Sequence, residues 1–394
     1  MISVSEAKDV VKNNAGSLGT EILTLREAAN YILAEDVFSP ADIPFFSQSN
    51  MDGYAFSFQD YKNGVSLRVE GFVAAGQSQL PSLQPGQATR IFTGAPVPAN
   101  ADTVVMQEKT RVEGDRLIIE DVSLVKGNNV RPKGSDIRLG ELALPKGTLL
   151  SPSAIGFLAA MGIEKVNVIS HPRVTILITG KEIRQPGQPR NQGEIYDANS
   201  FMLIAALGAV GIGNPEIVFV DDELSLVHKA LENAVAKSDI VLLTGGISVG
   251  DFDFVLEATQ LLGIQKLFHK VKQKPGKPLF FGKKENVLVF GLPGNPSSVL
   301  SCFYEYVLIA IAQLTGRDGL LKKIRLPLGQ GFSKKPGLTH FLKGRVSDGK
   351  AYPLDGQESY RLSSFARADC LIYLEEDGSR YEEGTLVEVH LLTI

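Results

Sequence analysis

The chain has 394 residues, with 40 basic and 44 acidic side chains and a formal net charge of −4. That length exceeds what one hydrophobic core holds and predicts about two to four domains, and the near balance of charge gives no electrostatic reason to expect nucleic acid or an acidic membrane surface as partner. Two distant cysteines, Cys302 and Cys370, and five histidines without HExxH or Cys/His spacing argue for buried thiols and against a disulfide framework or a zinc enzyme.

The opening MISVSEAKDVVKNN carries Glu6, Lys8 and Asp9 where a signal peptide needs an uninterrupted apolar run, so no export is implied and a reducing cytoplasm is expected. Helical apolar spacing predicts helices over 4–14 and 25–34, a small lead-in that breaks at Ser39 and Pro40. From Pro44 the text becomes PFFSQSNMDGYAFSF, with aromatic and amide residues crowded around Met51, Asp52, Gly53 and Tyr54. On local grounds Asp-Gly is a tight turn, although the segment is richer than a surface turn needs. Alternating runs at 65–73, 88–92, 103–108 and 116–119 then predict a mostly β domain. Within it TGAPVP, which begins at Thr93, predicts a rigid hairpin connection, and GSDI closes the domain with Asp136 as a cap.

A helix over 151–161, capped by Ser151 or Ser153, leads into regular alternation. Strands at 174–178, 216–220, 240–243, 266–271 and 287–290 alternate with helices at 199–209, 223–236, 254–262 and 296–314. That order predicts a parallel sheet covered on both faces. Ser301 and Glu305 interrupt the last helix, which is therefore expected in a protein core and not in a membrane. Beyond 317 come strands at 323–328, 339–346, 350–354, 370–374 and 386–392, as in a small β barrel or sandwich. The expected class is multidomain α/β: a doubly wound parallel-sheet domain plus two mostly β domains and a small helical domain.

Ligands of an open parallel sheet bind outside the carboxyl ends of its strands. There the chain places Lys181 and Glu182 of TGKEI, Asp221 and Asp222, the glycine turn TGGISVGDFD with Asp253, the lysines Lys272, Lys274 and Lys277 around KPGKP, and GLPGNPSS. Gly245 and Gly246 let amides turn inward beside the Ser248 hydroxyl, and the following helix start favours an anion, so phosphate is the expected guest. Asn295 is a good helix cap and Pro296 suits the first helical position, leaving Ser297 and Ser298 facing out as a second oxyanion pocket, or as a well-made helix entry and nothing more. Carboxylates without histidine or thiolate neighbours prefer a hard cation such as magnesium. Singly, each group is more often a cap or solvated surface. Jointly they point to metal-assisted direct displacement on a phosphate-bearing substrate.

SNMDGYA at 49–55, TGAPVP with VVMQE, GSDI, TGKEI, IYDANS at 195–200, TGGISVGDFD, KPGKP and PGNPSS follow one another as they do in the molybdopterin molybdenumtransferases. The chain resembles that family, which includes MoeA and the gephyrin E domain, over nearly its whole length. The resemblance implies insertion of molybdate into adenylylated molybdopterin, with magnesium and release of AMP, by an elongated homodimer of four-domain subunits. The implied domains are 1–39 with 138–170, helical; 40–137, mostly β; 171–316, α/β and molybdopterin-binding; and 317–394, a β barrel. By the same resemblance Asp253, Glu182 and Asp222 act with magnesium on the scissile phosphate, while Asp52, Thr93 and Asp136 reach that site from the other subunit. Gly245, Gly246, Ser248 and Gly250 cradle the substrate's phosphates. Lys274, Lys277 and Ser297 receive molybdate with help from Ser359, and Asp197, Pro293, Asn295 and Pro296 complete the matched substrate motifs. One departure lies in THFLK, where Lys343 replaces the arginine common in relatives, keeping its charge and losing its planar fork. The adenylylating domain fused in some relatives has no counterpart, so adenylylation is expected from a separate enzyme that contacts this one. Two other classes suit the same cleft, a pterin-nucleotide carrier without turnover and a sugar-phosphate or nucleotidyl enzyme. Release of AMP dependent on both molybdate and magnesium separates them.

Overall fold

In the computed structural model, which describes residues 1–245 and 254–392, the chain packs as two units. The smaller comprises Leu23–Ala29 and Glu35–Val166, and the larger Met1–Ile22, Asn30–Ala34 and Asn167–Ile394.

The smaller unit holds a six-stranded sheet in the order Thr103–Met106, Gly53–Phe56, Gln87–Ile91, Leu67–Val73, Arg116–Ile119, Thr110–Glu113. The predicted alternating runs all become strands of it. Two expectations fail here, for one reason. Gly53 opens a central strand instead of closing a turn, because a Cβ on it would stand 1.8 Å from the Val105 carbonyl oxygen and only glycine lets the strands meet. That strand pairs antiparallel with both Gln87–Ile91 and Thr103–Met106, so TGAPVP crosses over it and is not a hairpin. The expected helix over 25–34 shrinks to a single turn. Thr24 donates its amide and hydroxyl to the Glu27 carboxylate, Ala28 N–H closes on the Thr24 carbonyl, and Asn30 then turns left-handed at φ 68°. The helix Pro152–Ala160 forms as expected, its start capped by the Ser151 hydroxyl.

The larger unit is built on a second six-stranded sheet, ordered Glu216–Val220, Val174–Thr179, Ile240–Thr244, Val287–Leu292, Phe280–Lys284, Gln265–His269. The first four run parallel. VTILIT and IVLLT are buried at every position, which is why they read as continuous apolar runs. From Val174–Thr179 the chain passes to one neighbour and then to the other, so the strand order reverses at Val174–Thr179 and Ile240–Thr244. Phe280–Lys284 was not expected; it lies antiparallel to both neighbours and makes the sheet mixed at one edge.

Pro296–Thr315 is long and apolar enough to cross a membrane by composition, yet its most apolar 18-residue stretch is 72% buried within the protein. It runs from Pro296–Cys302 through a π turn at Phe303–Val307 to Leu308–Thr315 and packs against Val4–Asn14. The last strands pair in succession as Lys323–Pro327, Leu386–Leu391, Cys370–Leu374, Thr339–Ser347 and Lys350–Pro353, and a bridge from Leu328 to Ala351 closes the ring. This is the expected small barrel. Gln273–Lys274 adds parallel to its Thr339–Ser347 strand, which ties KPGKP to the barrel. Both cysteines are free and buried.

Candidate active site

In the larger unit the strand ends at the order reversal come into close contact. Gly245 adopts φ 87°, and a Cβ there would meet the Thr179 carbonyl oxygen at 2.5 Å, so the glycine turn begins pressed against the neighbouring strand. Gly294 lies against it in turn, its Cβ position 3.9 Å from the Gly245 Cα. Asn199 reaches the same place, donating Nδ2–H to the Gly294 carbonyl at 3.0 Å. Its Oδ1, and the Thr244 hydroxyl, are buried without a hydrogen-bond partner among the described residues. Both lie in motifs quoted from the sequence, IYDANS and TGGISVGDFD, but neither was given a role of its own there.

Glu182 and Asp222 both occupy this edge and feel one another. Partial burial first, and the Glu182 carboxylate second, hold Asp222 above its ordinary pKa, against the pull of the Thr179 hydroxyl. A like-charged oxygen pair is a fitting place for a hard cation. Among the described residues no three acidic, histidine or cysteine side chains form a complete metal shell. Gly246, Ser248, Gly250 and Asp253 lie outside the described residues. Asp197 is buried and accepts from the Ser200 amide at 3.1 Å and from the Ser200 hydroxyl, the duty of a helix cap.

The lysines divide. Lys272 is held by Glu376 at 2.7 Å, whereas Lys274 and Lys277 are exposed and have no ion pair among the described residues. Their loop is anchored from beneath. Gln273 donates Nε2–H to the carbonyls of Pro275 and Gly276, both at 3.1 Å, and its Oε1 accepts from the Tyr306 hydroxyl.

At the start of the long helix, Pro293 is buried and Pro296 half-buried behind an exposed Asn295. The open oxyanion pocket expected here is filled by a loop of the barrel. Ser297 and Ser298 are buried, the Ser297 amide donates to the Ser359 carbonyl at 3.2 Å, and its hydroxyl donates to the Arg361 carbonyl at 3.0 Å. Asn295 Nδ2–H donates to Ser359 Oγ at 2.8 Å. Lys343, 2% exposed, pins this loop by donating to the carbonyls of Gly356, Glu358 and Arg361 at 2.6, 3.1 and 3.2 Å. Three ammonium protons meet three acceptors, so its charge is spent inside the barrel and presents nothing to an oxyanion.

In the smaller unit Asp52 and Thr93 do come together. The Thr93 amide and hydroxyl both donate to Asp52 Oδ1 at 2.7 Å. These bonds, with Arg90 nearby, hold the carboxyl below its ordinary pKa. Asp136 is exposed, and no hydrogen bond reaches its carboxylate among the described residues, so it caps nothing there.

Profiles of protein families match the chain in three stretches: the MoeA N-terminal region (domain I and II) over 2–162, a probable molybdopterin binding domain over 175–313, and the MoeA C-terminal region (domain IV) over 325–392. A molybdopterin molybdenumtransferase of Haemophilus influenzae is 34% identical over 387 residues, covering 95% of each chain. Another, from Nostoc sp., is 35% identical over 406 residues, covering 99% of this chain and 88% of its own. A crystal structure of the molybdopterin biosynthesis moeA protein from Pyrococcus horikoshii matches with a TM-score of 0.80 at 31% identity, covering 99% of this chain and 100% of that one. With relatives this similar along their whole length, the chain belongs to the MoeA family of molybdopterin molybdenumtransferases.

Proposed function

We propose that this chain transfers molybdenum from molybdate to adenylylated molybdopterin and releases AMP, acting in the cytoplasm as a homodimer with magnesium. The observation that best supports this is the convergence of Gly245, Gly294, Glu182 and Asp222 where the strand order reverses, a cradle with two mutually repelling carboxylates on its rim. Gly245, continued by Gly246, Ser248 and Gly250, gives the substrate's phosphates backbone donors. Glu182, Asp222 and Asp253 form the acidic set that would hold the cation; when bound, magnesium offsets charge on the phosphate as the bond to AMP breaks. Lys274 and Lys277, exposed and without an ion pair among the described residues, hold the tetrahedral oxyanion from a loop stiffened by Gln273. Asn295 and Ser359 edge it, and Ser297 can join only if the barrel loop moves off the helix start. Water splits the phosphoanhydride, and the two dithiol sulfurs displace two molybdate oxygens, which leave as two waters carrying the two thiol protons and two more from solvent.

In the same reading Asp52, Thr93 and Asp136 are supplied by a second copy of the chain, and the subunit divides at 1–39 with 138–170, 40–137, 171–316 and 317–394. A separate adenylylating enzyme supplies the substrate and is the expected partner. The test is AMP release by purified protein. Release is expected only with molybdate and magnesium together, and Glu182→Ala or Asp253→Ala is expected to lower it by about a hundredfold or more with the fold intact. Binding without release would favour a carrier, and equal hydrolysis of unrelated nucleotides would overturn the transferase activity.

A further inference from the structure

At the open end of the smaller unit's sheet stands a cation that no carboxylate pairs with among the described residues. The Arg90 guanidinium carbon lies 5.0 Å from the centroid of the Tyr54 ring and 5.4 Å from that of Phe92. Strand register explains the arrangement: Tyr54 is directly opposite Arg90 on one neighbouring strand, Phe72 is opposite on the other, and Phe92 is two residues along on the same face. That face is buried at Phe56 and Ala88 but opens here, with Phe72 61% and Phe92 37% exposed. Rings over a guanidinium strip water from its faces and leave the in-plane N–H fork as the reactive edge. One part of that edge donates to Gln107 Oε1, and the backbone N–H of Gln107 donates to the Asp52 backbone carbonyl at 3.0 Å. Arg90 is therefore immobilised in the same small network as Asp52 and Thr93, and its charge offsets the acids Asp52 and Glu108 without being consumed by either.

A pre-oriented guanidinium with unused donors suits a bidentate oxyanion, and a bare acidic edge would repel one. We propose that Arg90 is a substrate-contacting residue that grips a phosphoryl group of the pterin nucleotide beside Asp52 and Thr93. The identity of the ligand rests on the transferase reading; the residue and its role do not follow from it.

The experiment is direct titration of adenylylated molybdopterin into wild type, Arg90→Ala, Arg90→Lys and, as a control for loss of charge from the same sheet, Arg111→Ala, with AMP release measured alongside. Arg90→Ala is expected to weaken binding by about 10- to 100-fold, with half-saturating molybdate and thermal midpoint unchanged. Arg90→Lys, which keeps the charge and loses the fork, recovers only part of the affinity, and Arg111→Ala binds as wild type does. Wild-type affinity in Arg90→Ala, or an equal loss in Arg111→Ala, overturns the assignment, as does full recovery by lysine. Binding that depends on Arg90 in a wild-type protein that releases no AMP would instead leave the assignment standing and remove the transferase activity.

Discussion

Asp222 is the residue at which site chemistry and stability meet. Its folded-state pKa lies above the ordinary value because burial and Glu182 disfavour the anion, so the native state holds this proton more tightly than the unfolded chain does. Such a group favours folding in acid, and that contribution is lost as pH rises through the carboxylate range. Asp222→Asn removes the repulsion, and the variant is expected to be the more stable protein above about pH 5 and equal to wild type below about pH 3. The gain is at most about 1 kcal/mol, since the pair is partly in solvent, and denaturant melts at several pH values read it. Magnesium added at neutral pH should narrow the difference by stabilising wild type alone. Glu182 and Asp222 could be found from sequence because strand-end carboxylates stand out against apolar strands. The parts of Asn199 and Arg90 could not, and Lys343 stood out only as a replaced arginine, because an amide, a lysine or an arginine acquires its meaning from the groups it touches: Gly294, two aromatic rings, three loop carbonyls.

Among the elements, the helix Pro296–Thr315 shows how a residue that looks like an interruption becomes a joint. Glu305 sits fully buried in the π turn, accepting from Lys8 at 2.5 Å and bonded to His390 at 2.5 Å, while the other ring nitrogen of His390 meets Glu388 at 2.6 Å. Burial pushes the Glu305 carboxyl up, but Lys8 and His390 outweigh it and hold the pKa at about 2. This stability is present above the ordinary 4.5 and lost as pH falls toward about 2. Three segments distant in sequence meet here: the first helix, the long helix and the last strand, which supplies both His390 and Glu388. Lys8→Met leaves a buried carboxylate short of a partner and is expected to cost about 3 to 5 kcal/mol in denaturant unfolding. Adding Glu305→Leu should return part of that loss, because the uncompensated charge goes with it; a double variant as unstable as the sum of both singles would show that the charges are not what matters. Apolar period alone placed this helix and the parallel strands. It missed Phe280–Lys284 because FFGKK offers two apolar residues before a glycine and two lysines; its pairing with Val287–Leu292 rests on the reversal at Glu285, which turns left-handed at φ 52°.

At the scale of the whole molecule, the proposed dimer makes a prediction that neither unit makes alone. Asp52 and Thr93 are bonded to each other in the smaller unit, and Glu182 and Asp222 repel each other in the larger. If catalysis joins the Asp52 of one chain to the Glu182 of its partner, Asp52→Asn and Glu182→Gln chains are each inactive, yet a mixed dimer contains one site with both changes and one with neither. Dissociating and reassociating equal amounts of the two variants should then restore about a quarter of wild-type AMP release, since about half the dimers are mixed and half of their sites are intact. If both residues served a site within their own chain, every site would carry one defect and mixing would restore nothing. Sedimentation of the same mixture distinguishes failed exchange from failed complementation: dimers that exchange subunits fully, shown with a size-tagged chain, and still release no AMP would place Asp52 and Glu182 in the same subunit's chemistry.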